Sequence, residues 1–87
     1  MTTTSTDGPL TIAEVLERST AYLGERGSAT PRLDAELLMA HSRGCERIEL
    51  YTWYDRPLTG RERDVAREAV ARRGRREPVA HILGSRG

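Results

Sequence analysis

The sequence predicts an all-α domain, a small bundle of four to five short helices. Two capping boxes, which begin at Thr11 and Thr59, mark helix starts, and the Thr30-Pro31 pair marks another. Between these starts, apolar residues recur with the 3.6-residue period of a helix. A chain of 87 residues can bury one small core, so we expect a single domain.

The first helix is predicted over residues 11–23. Thr11 and Glu14 have the spacing of a capping box, and Leu10 and Val15 occupy the two positions of a hydrophobic staple. Gly24 and Gly27 offer C-terminal stops. The predicted buried stripe contains Ile12, Val15, Leu16, Ser19, Tyr22 and Leu23.

The second helix is predicted over residues 31–43. The Thr30 hydroxyl is placed to cap it, Pro31 has the fixed φ that suits a first helical position, and Gly44 supplies a left-handed residue at its end. Its predicted inward residues are Leu33, Leu37, Leu38 and His41, flanked by Met39 and Ala40.

Three further predicted helices complete the bundle. A helix over residues 46–53 carries Ile48, Leu50 and Tyr51 and is broken by Asp55-Arg56-Pro57. The second capping box opens a helix that ends near Gly74, and Pro78 opens a last helix that Gly84 terminates. The predicted helix that begins at Thr59 has a narrow inward face of small residues, which lets neighbouring helices approach closely. These residues are Val65, Ala66, Ala69 and Val70.

Composition excludes several classes of protein. The formal net charge is +1, from 14 arginines and 13 acidic residues, so the whole chain offers no electrostatic case for a nucleic-acid or membrane partner. One cysteine, Cys45, cannot form an intramolecular disulfide, and with two histidines it cannot complete a zinc site. Residues 1–9 read as a disordered tail, with neither a signal peptide nor a membrane span in the sequence. We expect a cytoplasmic protein.

No motif in the sequence points to catalysis. A glycine-rich phosphate loop, a nucleophile elbow, an HExxH pair and a paired-cysteine motif are all absent from the 87 residues. His41 and His81 fall on predicted apolar stripes, which favours core or boundary positions over catalytic ones. Cys45 precedes the third predicted helix, whose N-terminus would lower the thiol pKa, but it has no catalytic partner. We therefore assign no catalytic, cofactor-binding or metal residues.

The candidate partner-binding residues are four arginines and one tryptophan. Residues 59–77 hold seven arginines and four acids, and the charge is densest at Arg72, Arg73, Arg75 and Arg76. These arginines either complement a helix C-terminus and solvate the surface or meet an acidic or phosphate surface. Trp53 lies among tyrosines, a cluster that fits an interface hot spot and the closure of a bundle without phenylalanine equally well.

Several segments together resemble the N-terminal domain of the HemK/PrmC family. They are Arg32-Leu33-Asp34-Ala35-Glu36-Leu37-Leu38, Asp55-Arg56-Pro57-Leu58, Arg72-Arg73 and Glu77-Pro78-Val79-Ala80-His81-Ile82-Leu83-Gly84. Members of this family are protein-(glutamine-N5) methyltransferases that modify peptide chain release factors. The resemblance covers residues 10–87.

The resemblance implies a substrate-recognition role for residues 10–84. The parent enzyme would methylate the glutamine of the release factor's Gly-Gly-Gln motif from S-adenosylmethionine. The family's cofactor loop and catalytic Asn-Pro-Pro-Tyr do not occur in this chain, which contains no Asn or Gln, so no cofactor is expected here. Residues 85–87 would begin a linker to an absent catalytic methyltransferase domain.

The implied partners are a release factor and the parent's own C-terminal methyltransferase domain, with no nucleic acid and no membrane. Two alternatives from other classes stay open: an Arg-rich helical nucleic-acid-binding module, and a generic helical docking or dimerisation domain. The acids interleaved with the arginines after Thr59 weigh against the first. Only a binding measurement separates the second from release-factor recognition.

Overall fold

The computed structural model describes residues 10–84, and this part of the chain folds into five helices. The predicted all-α bundle is confirmed. The predicted tail, residues 1–9, and the predicted linker start, residues 85–87, lie outside the described residues. The helices are α1 (Ile12–Glu25), α2 (Pro31–Arg43), α3 (Glu49–Thr52), α4 (Gly60–Gly74) and α5 (Val79–Gly84).

Both predicted capping boxes form. The Glu14 amide donates to the Thr11 hydroxyl over 3.2 Å, and the Thr11 amide donates to the Glu14 carboxylate over 2.9 Å. Thr59 and Glu62 repeat this exchange at the start of α4. Thr30 differs from the prediction, because its hydroxyl donates to the Asp34 carboxylate instead of capping a backbone amide of α2.

Three of the helices end in the same hydrogen-bonding pattern. In α1, α2 and α4, the backbone amide of the residue after the left-handed one donates a hydrogen bond to the carbonyl five residues earlier. The three pairs are Ser28 to Leu23, Cys45 to Ala40 and Glu77 to Arg72. The left-handed residue is Gly27 in α1 and Gly44 in α2, but it is Arg76 in α4, with φ of 73°. Gly24 does not stop α1 as predicted.

Helix α2 lies at the centre of the bundle and contacts each of the other four helices. Helices α1 and α4 run in the same direction, because the Leu58 amide donates to the Leu10 carbonyl at their starts and Tyr22 lies on Gly74 at their ends. The core between the helices includes Ile12, Leu16, Leu23, Leu38, Met39, Leu50 and Ile82.

Small residues on α4 allow the close approach that the sequence predicted. Ala66, Ala69 and Gly74 are its buried residues, whereas Val65 is exposed and Val70 half-buried. A Cβ atom on Gly74 would lie 2.6 Å from Cε2 of Tyr22, so only glycine leaves room for the tyrosine ring there. The predicted inward position of Val65 is wrong.

The predicted buried face of α2 is confirmed at Leu38, Met39 and Ala40 but is wrong at Leu33 and His41. Leu33 is 39% exposed, His41 is exposed and Leu37 is half-buried. Two acidic residues, Asp34 and Glu36, are buried instead because arginines from other segments pair with them. The full buried set of the helix is Asp34, Ala35, Glu36, Leu38, Met39 and Ala40.

The two short helices also differ from their predictions. Helix α3 is a single turn that buries only Leu50, and Ile48 before it is 76% exposed. His81 on α5 was expected on an apolar stripe, but its side chain is exposed and its Nδ1 atom lies 2.8 Å from the Glu77 carboxylate. The six-residue α5 packs one side against the bundle, with Ile82 buried there. His81 lies on the other side and stays exposed although its neighbours in sequence are apolar.

Candidate functional site

The four candidate arginines at the end of α4 divide into two pairs. Arg73 is 23% exposed, and its Nε atom donates to the Asp34 carboxylate over 3.0 Å. Arg72 binds the Glu77 carboxylate through two nitrogens. Arg75 and Arg76 are exposed. Two of the predicted contact residues therefore hold the fold together as well as carrying charge.

Asp34 is the anchor for the first of these ion pairs. Ser28 donates to its carboxylate over 2.7 Å and Thr30 over 3.1 Å, beside the bond from Arg73. Burial acts to raise the pKa of Asp34, but the hydrogen bonds from Ser28, Arg73 and Thr30 outweigh it and hold the pKa below its usual value. The ionised carboxylate thus ties the end of α4 to the start of α2.

Trp53 lies at the opposite end of α4 from the arginines. The guanidinium carbon of Arg43 is 5.7 Å from the centre of the Trp53 ring, and Arg43 binds the Glu62 carboxylate over 3.0 Å. Glu62 is in the first turn of the 15-residue α4, so about 20 Å separates this contact from the helix end. The structure does not bring Trp53 and the four arginines together.

A buried carboxylate cluster, which the sequence analysis missed, accounts for the nearby tyrosines. Glu36 is 3% exposed and accepts hydrogen bonds from Arg32 Nε over 2.8 Å, from Arg47 Nε over 3.0 Å and from the Tyr51 hydroxyl. Arg32 also donates to the Tyr54 hydroxyl over 3.1 Å. The cluster fastens the α3 segment to α2, which favours a structural role for these aromatic residues.

The same contacts set the ionisation of the cluster. Burial acts to raise the pKa of Glu36, and the hydrogen bonds from Tyr51, Arg32 and Arg47 lower it further than burial raises it. The hydrogen bond to Tyr54 raises the pKa of Arg32 above its usual value. The spacing of Arg32 and Glu36, four residues apart, was a signal in the sequence, but such pairs are usually read as surface pairs.

A groove lies between α1 and α4. It has a volume of about 410 Å³. Its apolar lining consists of Leu10, Val15, Tyr22, Val70 and Ala71, with Ser19 beside them, and its basic lining consists of Arg18, Arg63 and Arg67.

The basic lining of this groove is not neutralised from within. Among the described residues, no ion pair involves Arg18, Arg63 or Arg67, and the buried Nε atom of Arg63 lacks a hydrogen-bond partner. Charge counted along the chain does not reveal this surface, because its arginines come from two different helices. Arg63 and Arg67, at a spacing of four, share a face of α4.

The remaining chemically notable residues do not form a catalytic group. Cys45 is half-buried, and burial, with the nearby Glu49 charge, raises the pKa of its thiol, so the expected lowering by the α3 N-terminus is wrong. Within residues 10–84, no three His, Cys, Asp or Glu side chains are placed to hold a metal ion. No helix of that range is both long and apolar enough to cross a bilayer.

The chain matches one protein-family model and several known proteins. A family model described as the PrmC N-terminal domain matches residues 14–84. The chain is 49% identical over 86 residues to the release factor glutamine methyltransferase of Rhodopirellula baltica, covering 99% of this chain and 29% of that protein. It is 41% identical over 75 residues to the protein of the same name from Geobacter sulfurreducens, covering 86% of this chain and 26% of that protein.

A third relative, the release factor glutamine methyltransferase of Streptomyces coelicolor, is 43% identical over 75 residues, which cover 86% of this chain and 25% of that protein. The chain therefore spans less than a third of the length of these relatives. No solved structure matches the chain significantly.

Proposed function

The chain belongs to the PrmC N-terminal domain family, and from this membership we propose that it binds a peptide chain release factor on behalf of a glutamine methyltransferase. The methyl transfer itself belongs to a further part of a longer enzyme. That part takes the methyl group from S-adenosylmethionine and places it on a glutamine side-chain nitrogen. The five helices supply binding and no chemistry.

A domain that binds the substrate far from the reacting atoms helps such a reaction by positioning the substrate. Contacts to remote parts of a large substrate hold the reacting group in one orientation, which removes much of the entropic cost from the chemical step. A bundle fastened by buried ion pairs, such as Asp34–Arg73, is suited to this task because it presents its surface rigidly.

The observation that carries the proposal is the α1–α4 groove. Protein interfaces combine an apolar, aromatic centre with a polar rim in which arginine is common, and the groove has this composition. Because Arg18, Arg63 and Arg67 have no ion-pair partner within the described residues, the groove fits a partner segment with apolar and acidic side chains.

The candidate residues from the sequence are part of this proposal. Arg75 and Arg76 are the exposed pair at the end of α4, where the groove also ends, and Arg72 and Arg73 flank them in their ion pairs. Trp53 is a separate contact candidate at the other end of α4. Long-range attraction from the exposed arginines would speed encounter more than it strengthens the complex.

A charge-reversal experiment tests the groove. The Arg18→Glu/Arg67→Glu variant changes one exposed arginine on each wall, and Arg56→Glu/Arg61→Glu makes the same charge change at exposed positions outside the groove. Measured by calorimetry against a release factor, the groove variant should bind about tenfold more weakly or worse, and the control within about threefold of the unchanged chain.

Equal affinities for the groove variant and the control would contradict the assignment of the groove. The nucleic-acid module would be favoured instead by two results together. The unchanged chain would bind duplex DNA or RNA but no release factor, and the groove variant would lose the nucleic-acid binding. Circular dichroism of each variant shows whether the helices are retained.

A further inference from the structure

A second pocket lies where α1 and α4 end, next to the loop that leads into α2. It has a volume of about 250 Å³. The pocket is more enclosed and more polar than the α1–α4 groove. Tyr22 lines the groove, and its hydroxyl accepts a hydrogen bond from Arg26, which lines the pocket. The lining residues are Leu23, Arg26, Gly27, Ser28, Arg73 and Arg76.

Positive charge dominates this pocket. Of its three arginines, only Arg73 has an ion-pair partner in the described residues, the Asp34 carboxylate. Arg26 donates through Nε to Tyr22 over 3.3 Å, and its guanidinium lies 5.3 Å from the centre of that ring. The side chain of Arg76 makes no hydrogen bond or ion pair with residues 10–84. The pocket therefore has a net charge of about +2 when Asp34 is counted.

The backbone of Arg76 adopts a conformation that costs an arginine free energy. Its φ of 73° is left-handed, the region in which α1 and α2 use Gly27 and Gly44 for the same helix-ending pattern. A side chain in this region is unfavourable relative to glycine. Strained residues of this kind concentrate at functional sites, where another requirement outweighs the strain.

The side chain of Arg76 lies against the end of α1. A Cβ atom on Gly27 would be 3.3 Å from Nη2 of Arg76, so the bare glycine backbone makes room for the guanidinium. The two left-handed residues therefore pack against each other. Gly27 has no side chain, and the guanidinium group of Arg76 occupies part of the space that this leaves.

Compensation of the helix dipoles does not account for three arginines here. Cations stabilise helix C-termini, and two such ends meet at the pocket. Yet the carbonyls of Leu23 and Arg72, which would otherwise attract cations, already accept hydrogen bonds from Ser28 and Glu77. Stability alone would be served better by glycine at position 76.

We propose that this pocket binds an oxyanion, a carboxylate or a phosphate. The guanidinium groups of Arg26 and Arg76 hold it by paired hydrogen bonds, and Arg73, fixed by Asp34, adds a third positive charge. The pocket itself does not depend on the proposed function. If the natural ligand is a carboxylate, its identification as an Asp or Glu side chain of the release factor rests on that function. A phosphate ligand would not depend on it.

The test is an NMR titration of the ¹⁵N-labelled chain with sodium acetate and, separately, with sodium phosphate, each against sodium chloride at equal ionic strength. The pocket predicts saturable shifts of the Gly27, Ser28 and Arg76 amides. In Arg76→Gly the affinity should fall about tenfold or more, because a charge-assisted donor is lost. In Arg61→Ala, an equal charge change at an exposed position in the first turn of α4 and outside the pocket, the affinity should stay within about twofold.

A second readout separates binding from folding. Because Arg76→Gly relieves the left-handed strain, its melting temperature should rise by about 2–6 °C while its oxyanion affinity falls. Shifts with acetate support a protein carboxylate as the natural ligand, and shifts with phosphate alone support a phosphate. Shifts no larger than with chloride, or full affinity in Arg76→Gly, would overturn the proposal. Neither result depends on release-factor binding, which the groove variants test separately.

Discussion

Asp34 and Glu36 are the two acidic residues of α2. Each is buried, and each gathers hydrogen bonds from separate parts of the chain: Asp34 from the α1–α2 loop and the end of α4, and Glu36 from the segment around α3. With Arg32, they are the charged residues of the segment that resembles the HemK/PrmC family. The structure gives that segment a structural role, since its charges fasten α3 and α4 to the central helix.

Replacing Glu36 by glutamine should destabilise the domain by about 2–4 kcal/mol at pH 7, because the arginines around it would lose their counter-charge in a buried site. Urea denaturation measures this loss. Glu17→Gln, on an exposed position of α1, is the matched control and should change stability by less than about 0.5 kcal/mol.

The destabilisation should also depend on pH with a definite sign. Because folding lowers the pKa of Glu36 below its usual value of 4.5, the carboxylate contributes its full stability above that value. As the pH falls below about 4.5, the unfolded chain takes up protons first and the contribution is lost. The gap between the unchanged chain and Glu36→Gln should therefore narrow in acid, and a gap that widens would contradict this account.

At the scale of the helices, local signals were enough to predict where the three long helices begin and where α2 and α4 end. The capping boxes at Thr11 and Thr59 form, and α2 has the predicted bounds because Pro31 and Gly44 act within one turn of themselves. The inward face of α2 was not predictable in the same way. It depends on Arg73, 39 residues from Asp34 in the chain, and no local pattern marks that pairing.

The candidate site shows the same division between local and distant information. The arginine-rich end of α4 was visible in the sequence, but the internal pairing of Arg72 and Arg73 was not, nor was the separation of Trp53 from them. The α1–α4 groove was missed because its lining residues on α1 lie more than 40 positions along the chain from those on α4. Arg18 and Arg67 become neighbours of one groove only in the folded chain.

Close packing of α1 on α4 gives a prediction at this scale. Gly74→Ala would place a methyl group 2.6 Å from Cε2 of Tyr22, so we expect a loss of about 1–3 kcal/mol despite the better helix propensity of alanine. Gly24→Ala is the matched control, since its Cβ would meet Pro31 at an ordinary 3.8 Å and should leave stability unchanged or raise it by up to about 1 kcal/mol. Equal effects of the two substitutions would show that Tyr22 moves freely.

For the whole molecule, the bundle presents one long surface with two parts. The α1–α4 groove has an apolar centre with Arg18, Arg63 and Arg67 at its sides, and the smaller basic pocket lies beyond Tyr22 at the helix ends. Helix α2 also contacts α3 and α5, and the Glu36 cluster fastens the α3 segment to it. A protein partner with apolar and acidic side chains would use this surface along its length.

Methyl NMR of the chain with unlabelled release factor tests the central claim most directly, because it reports where the partner lies. With Ile, Leu and Val methyl groups labelled, the account predicts that the signals of Leu10, Val15 and Val70 in the groove shift or broaden on addition of the release factor. Ile48, which is exposed beside α3 and outside the groove, should keep its signal unchanged. Perturbation of Ile48 with the groove methyls unmoved, or no perturbation at all, would contradict the account.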